Sequence, residues 1–78
     1  MSLSENELTV IQHLSTSGGT GNVMEVLNLD QSAFDHGFTI ANNMQNKDLI
    51  KLLYSNFNKN QIVVEITLLG YNAAKGML

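Results

Sequence analysis

The strongest constraint on the fold is a pair of strand-like segments in the second half of the chain. Residues 61–69 (QIVVEITLL) alternate apolar side chains with mixed ones, which is the period-two pattern of a strand with one buried face. The apolar positions are Ile62, Val64, Ile66 and Leu68. Residues 49–56 (LIKLLYSN) form the other segment, and between the two lie Asn58 and Asn60, which tolerate the left-handed backbone of a turn. We therefore predict an antiparallel β-hairpin.

A helix with a defined beginning is predicted near the start of the chain. Ser4 and Glu7 have the spacing of a capping box, in which each side chain accepts a hydrogen bond from the other residue's backbone N–H. We expect this first helix to run from about residue 5 to about residue 15. Its buried face is predicted to contain Leu8, Ile11 and Leu14, with Val10 on the flank.

A glycine-rich segment, residues 16–21 (TSGGTG), follows the first helix. A phosphate-binding loop needs Lys and then Ser or Thr after its last glycine, whereas Asn22 and Val23 stand there. We therefore expect this segment to be a flexible connector. Asn22 is expected to cap a short second helix that ends near Asn28.

The longest helical segment is 31–47, for which Asp30 or Ser32 is the expected cap. Small and apolar side chains recur along one side of it at helical spacing, which permits close approach to another helix. This stripe consists of Ala33, Gly37, Ile40, Ala41 and Met44, flanked by Phe34 and Phe38. Gly37 in mid-helix costs about 1 kcal/mol relative to Ala, so it marks either tight packing or an interruption. The opposite side consists of Asp35, His36, Thr39, Asn42, Asn43 and Asn46.

The last segment, 70–78 (GYNAAKGML), is expected to form a short terminal helix whose turn begins at Thr67 or its neighbours. The chain of 78 residues has the size of one small domain. Its predicted order is helix, short helix, helix, β-hairpin and helix. This order is typical of an α+β fold that is mostly α.

The composition excludes several kinds of site. The chain has no cysteine, and His13 and His36 lie far apart without ligand-spaced partners, so we expect no metal and no cofactor. Asp35 and His36 point about 100° apart on a helix and form no catalytic dyad, so we expect no enzyme. No apolar run approaches the roughly 18 residues of a membrane span, and no signal peptide opens the chain. We therefore expect a cytoplasmic protein.

Positive charge is scarce and unevenly distributed. The formal net charge is −3, and residues 1–46 contain no Lys or Arg. The four cationic side chains are Lys47, Lys51, Lys59 and Lys75. Because affinity for DNA is dominated by Lys and Arg on phosphates, this composition argues mildly against tight binding of nucleic acid by a single protomer.

Two motifs around the predicted hairpin resemble those of the winged helix-turn-helix domain of MarR-type transcriptional regulators. Residues 44–50 (MQNKDLI) are similar to the family's Leu-x-x-x-Gly-Leu-Ile passage from recognition helix into wing. Residues 66–74 (ITLLGYNAA) are similar to its Leu-Thr-x-x-Gly-x-x-x-Ala run after the wing. The resemblance covers about residues 4–78. The chain departs from the family in three ways: Asp48 replaces the glycine, the spacing from Leu27 to Met44 is about three residues longer, and arginine is absent.

This resemblance implies a winged-helix fold and a dimeric DNA-binding regulator of transcription. The third helix would lie in the major groove of double-stranded DNA, and its amide side chains would favour A·T-rich sites. The base-facing residues would be His36, Thr39, Asn42 and Asn43, and Asn46 would also belong to the DNA-binding surface. Lys47 and Lys51 would contact phosphates. The wing, with Asn58, Lys59 and Asn60, would lie on the flanking groove or backbone.

The main alternative is a protein-interaction module on the same fold, because a fold does not fix a function. The hairpin and last helix contain more apolar side chains than a small core needs, which indicates a self-association or partner surface. The interface residues predicted are Leu69, Tyr71, Met77 and Leu78, with Leu53 and Val63 nearby.

Overall fold

The computed structural model describes residues 3–76 of the chain. The helices are α1 (Glu5–Thr16), α2 (Val23–Val26), α3 (Phe34–Asn46) and α4 (Leu68–Ala74), with a short 3₁₀ helix at Gln31–Ala33. The strands are β1 (Thr20–Asn22), β2 (Ile50–Asn56) and β3 (Gln61–Ile66). The predicted α+β class, mostly α with a hairpin wing and a short C-terminal helix, is confirmed.

The sheet contains one strand that the sequence pattern did not predict. Its order is β1-β3-β2, and β1 pairs antiparallel with β3 so that Gly21 lies opposite Val64. The expected flexible connector is therefore wrong for its last residues. Gly18 and Gly19 adopt positive φ and turn the chain back from α1. A side chain at Gly21 would come within 2.9 Å of the Leu14 methyl, so β1 lies directly on α1.

The buried face of α1 differs from the prediction by one position. Leu8 is 36% exposed, whereas Val10 is fully buried rather than on a flank. The buried residues of α1 are Glu7, Val10, Ile11 and Leu14, which follow i, i+3, i+4 and i+7. The buried stripe runs through Glu7 instead of Leu8, and a charged side chain is rarely buried unless it is paired.

The close contact expected of α3 is confirmed, and Gly37 marks tight packing in an uninterrupted helix. A Cβ at this position would overlap the sulfur of Met24 on α2. The start of the segment was predicted too early, since the α-helix begins at Phe34 and a 3₁₀ helix precedes it. Asp30 caps this 3₁₀ helix and accepts a hydrogen bond from the Ser32 backbone N–H at 3.1 Å, whereas α3 itself begins after Ala33 without a side-chain cap. This 3₁₀ helix lies in the connection between α2 and α3.

The end of the second predicted strand was placed too late. β3 ends at Ile66, and the Thr67 hydroxyl accepts a hydrogen bond from the Gly70 N–H at 3.0 Å, which starts α4. Leu68 is consequently 77% exposed and does not lie on the apolar face of the sheet. Two leucines follow Thr67, so the apolar alternation in the sequence extends beyond the end of β3 and predicts a longer strand.

Left-handed residues occur in the turn before β2 and in the hairpin turn, where Asn60 but not Asn58 has the predicted conformation. Asp48 has a φ of 60°, and Asn60 has a φ of 53°. Both are side chains that tolerate the left-handed region better than most residues do. No helix within residues 3–76 is long and apolar enough to cross a membrane.

Candidate nucleic-acid interface

The polar face of α3 consists of His36, Thr39, Asn42, Asn43 and Asn46, and the structure brings all five to the surface. The opposite side of the helix is held in the core, where Ala41 is 2% exposed and Met44 is fully buried. Asp35 is exposed on the same helix, and its carbonyl accepts a hydrogen bond from the Thr39 hydroxyl at 3.0 Å. The polar face therefore presents hydrogen-bonding groups on a fixed helix, with little positive charge.

The hairpin loop lies beside the first turn of α3. The Gln31 side chain donates a hydrogen bond to the Phe57 carbonyl at 2.8 Å. The Phe57 ring meets the Phe34 ring edge to face, with 5.2 Å between centroids. These contacts anchor the loop, in which Asn58 and Lys59 are exposed. Two predicted wing residues are thus available at the end of the sheet that adjoins α3.

Asn60, the third predicted wing residue, is used mainly for structure. Its side-chain amide donates to the Leu29 carbonyl at 2.9 Å, and its backbone carbonyl accepts from the Asn22 side chain at 3.1 Å. Asn22 in turn accepts hydrogen bonds from the backbone N–H groups of Met24 and Ile62. This pair of asparagines joins the hairpin loop to the start of α2. The sequence indicated only the cap on α2, because the partner is 38 residues away.

Lys47, predicted to contact a phosphate, forms an ion pair with Glu7. Its ammonium lies 2.8 and 3.0 Å from the two carboxylate oxygens. Glu7 is 4% exposed and also accepts a hydrogen bond from the Ser4 backbone N–H at 2.9 Å. Burial pushes the pKa of Glu7 upward, but the hydrogen bonds from Lys47 and Ser4 and the Lys47 charge outweigh burial and lower it. The pair joins the start of α1 to the end of α3.

Lys51, the other predicted phosphate contact, also lies beside a carboxylate. It is exposed on β2, directly opposite Glu65 on β3. Cross-strand neighbours of opposite charge attract each other, though weakly when exposed. Of the three lysines assigned to DNA, Lys47 is therefore paired with a carboxylate, Lys51 lies opposite one in the register, and Lys59 is exposed in the hairpin loop.

The described residues of the predicted partner interface contribute to the protein's own core. Leu69 and Tyr71 are half-buried and pack against the protein's own core, while Met77 and Leu78 lie outside the described residues. The large apolar side chains that the structure exposes are Leu8, Leu53, Tyr54, Phe57 and Leu68. The sequence alone does not show whether an apolar side chain of a short helix, such as Tyr71, packs against the core or faces solvent.

Gln45 on α3 is a further residue that sequence reasoning missed. Its side-chain carbonyl accepts a hydrogen bond from the Leu52 backbone N–H at 2.7 Å. Leu52 belongs to β2, which is an edge strand of the sheet. The contact holds the hairpin against α3. It also occupies the Leu52 backbone N–H, a group with which a strand of another chain could pair at this sheet edge.

The geometry defines a winged-helix-like α+β domain with an exposed polar helix and an anchored hairpin. Within residues 3–76 there is no pocket and no cluster of side chains that could hold a metal ion. No protein-family model, curated protein or solved structure matches this chain.

Proposed function

We propose that this chain is a DNA-binding regulator of transcription that acts as a dimer, with the polar face of α3 in the major groove of double-stranded DNA. The observation that carries the proposal is the exposure of all five residues of that face on a helix whose other side is buried. A recognition helix needs this combination, because base-edge hydrogen bonds require side chains held in fixed positions.

The side chains of the polar face favour adenine. An Asn carboxamide can pair bidentately with the N6 and N7 atoms of adenine, and Asn42 and Asn43 are neighbours on the exposed side. A guanine contact is usually made by Arg or Lys, and α3 contains neither. The expected target is therefore an A·T-rich duplex.

The hairpin supplies the second part of the proposed contact. Lys59 and Asn58 are exposed in a loop that Phe57 anchors beside the first turn of α3. This places one positive charge of the wing close to the proposed groove-binding helix. With so few cations per protomer, two protomers are needed for useful affinity, as in regulators that bind two half-sites.

A salt titration tests the proposal. Fluorescence anisotropy of a labelled A·T-rich duplex should show binding at about 50 mM salt that weakens at about 200 mM, because phosphate contacts release counterions. The expected slope of log affinity against log salt is shallow, about −0.9 for each phosphate neutralised. Saturating protein without any retained duplex at low salt contradicts the proposal.

A second candidate function, a protein-interaction domain that does not bind DNA, is favoured by the placement of the lysines. Lys47 is paired with Glu7 and Lys51 lies opposite Glu65, so neither is presented as an isolated cation. The low-salt titration separates the two candidates, since a protein-interaction domain of net charge −3 should leave the duplex unbound.

A further inference from the structure

The register of the hairpin contains an irregularity that exposes two successive apolar residues. Leu52 lies opposite Val64 and Tyr54 opposite Val63, so Leu53 is an extra residue on β2. Successive side chains of a regular strand point to opposite faces, but a bulge re-aims them. Here Leu53 is 46% exposed and Tyr54 is 53% exposed.

Leu53, Tyr54 and the half-buried Val63 define the hairpin patch. Tyr54 and Val63 are register partners and therefore neighbours on the sheet. The other exposed apolar side chains have different surroundings: Phe57 meets Phe34 edge to face, and Leu8 and Leu68 lie on α1 and α4 rather than on the hairpin. Single exposed apolar residues are common, whereas adjacent ones mark contact surfaces.

The charges beside the hairpin patch favour contact with an identical surface. Lys51 and Glu65 are opposite each other in the register next to it, and both are exposed. In a two-fold contact the same patch faces itself, so Lys51 of each copy can approach Glu65 of the other. A patch flanked by charges of one sign would repel its own copy.

The overall charge also directs a second copy to this patch. Two chains of net charge −3 repel each other, and the remaining exposed acids lie outside β2 and β3, with Asp48 in the turn just before β2. These acids are Glu5, Glu25, Asp30, Asp35 and Asp48. At the hairpin patch the charges of Lys51 and Glu65 cancel, so close approach of two copies costs least there.

We propose that the hairpin patch binds a second copy of this chain and forms a two-fold dimer. The contact uses side chains rather than a continuous sheet, because the Leu52 N–H on the edge of β2 is already bonded to Gln45. The proposal goes beyond DNA binding and does not depend on it, since its readout is the mass of the protein alone.

Sedimentation equilibrium of the full chain tests the proposal by exchanging charges. The parent should dimerise with a dissociation constant of about 1 mM or tighter, and Lys51→Glu and Glu65→Lys should each weaken dimerisation by about tenfold. An equimolar mixture of the two variants should dimerise again. Each variant keeps its own intrachain repulsion in the mixture, so recovery can only come from contact between chains.

The apolar part of the patch is tested with a matched pair of variants. Tyr54→Ser should lower the dimer fraction, whereas Leu68→Ser, which removes a more exposed apolar side chain from another element, should leave it unchanged. Circular dichroism checks that each variant is folded. A parent that remains monomeric to about 1 mM, a mixture that does not recover, or equal effects of the two serine variants would overturn the proposal.

Discussion

The two sides of α3 divide the work of the helix between fold and function. The buried side contacts α2 so closely that Gly37 leaves no room for a side chain. The polar face, in contrast, makes few contacts with the rest of the chain, and its residues are exposed. A substitution on the first side should therefore change stability, and one on the second should change only recognition. This difference can be tested from its largest expected effect to its smallest.

Gly37→Val should produce the largest loss of stability. The new side chain would overlap Met24, and the fully buried Ile62 lies 3.5 Å from the position of its Cβ. Overpacking of this kind costs about 1–3 kcal/mol. Urea unfolding followed by circular dichroism measures the change. Asn43→Ala, on the polar face, is the control and should stay within about 0.5 kcal/mol of the parent; equal losses for both variants would contradict the division.

Glu7→Gln should have the next largest effect, because it removes the carboxylate that joins α1 to the end of α3. Hydrogen bonds to charged groups contribute about 1.5–3 kcal/mol, and the partial exposure of Lys47 reduces this to about 1 kcal/mol. The free energy of unfolding at pH 7 measures the loss. Glu5→Gln, in the same helical turn but exposed, should change it less.

The pH dependence of the same variant follows from the lowered pKa of Glu7. A carboxylate whose pKa is lower in the folded state stabilises the fold fully at any pH above its pKa in the unfolded chain, which is about 4.3 for Glu. This stabilisation is lost as the pH falls through the pKa of the folded state. The difference in unfolding free energy between the parent and Glu7→Gln should therefore be constant from pH 7 to about pH 5 and shrink below about pH 4.3. A difference that grows on acidification would contradict the assignment of the charged pair.

Lys59→Ala should have the smallest effect and only on binding. Lys59 is exposed in the hairpin loop, so its loss should leave stability unchanged. If it contacts a phosphate, affinity should fall equally for all duplexes and the salt slope should become shallower by about 0.9. Lys75→Ala, just after α4, is the control of equal charge. Equal effects of the two variants on the duplex would remove the wing from the proposed interface.

The sequence was sufficient to predict most elements because their signals are local. The capping box at Ser4 and Glu7, the period of α3 and the alternation in β3 each involve residues within a few positions of one another. These features need no knowledge of the rest of the fold.

The features that the sequence did not reveal depend on contacts between distant segments. β1 has three residues, too few for a period, and exists because β3 offers an edge. The pairing of Lys47 with Glu7 spans 40 residues, and it links the start of α1 to the end of α3. The bulge at Leu53 leaves no mark in composition, because its cause is the pairing register with β3.

The polar face of α3 is the central claim, and a comparison of two duplexes tests it most directly. Fluorescence anisotropy would be measured with an A·T-rich and a G·C-rich duplex of equal length, for the parent and for the double variant Asn42→Ala with Asn43→Ala. The parent should bind the A·T-rich duplex more tightly, and the double variant should lose about 1–3 kcal/mol of that preference while its unfolding curve stays unchanged. Equal affinity of the parent for both duplexes, or a preference that survives in the double variant, would contradict the account.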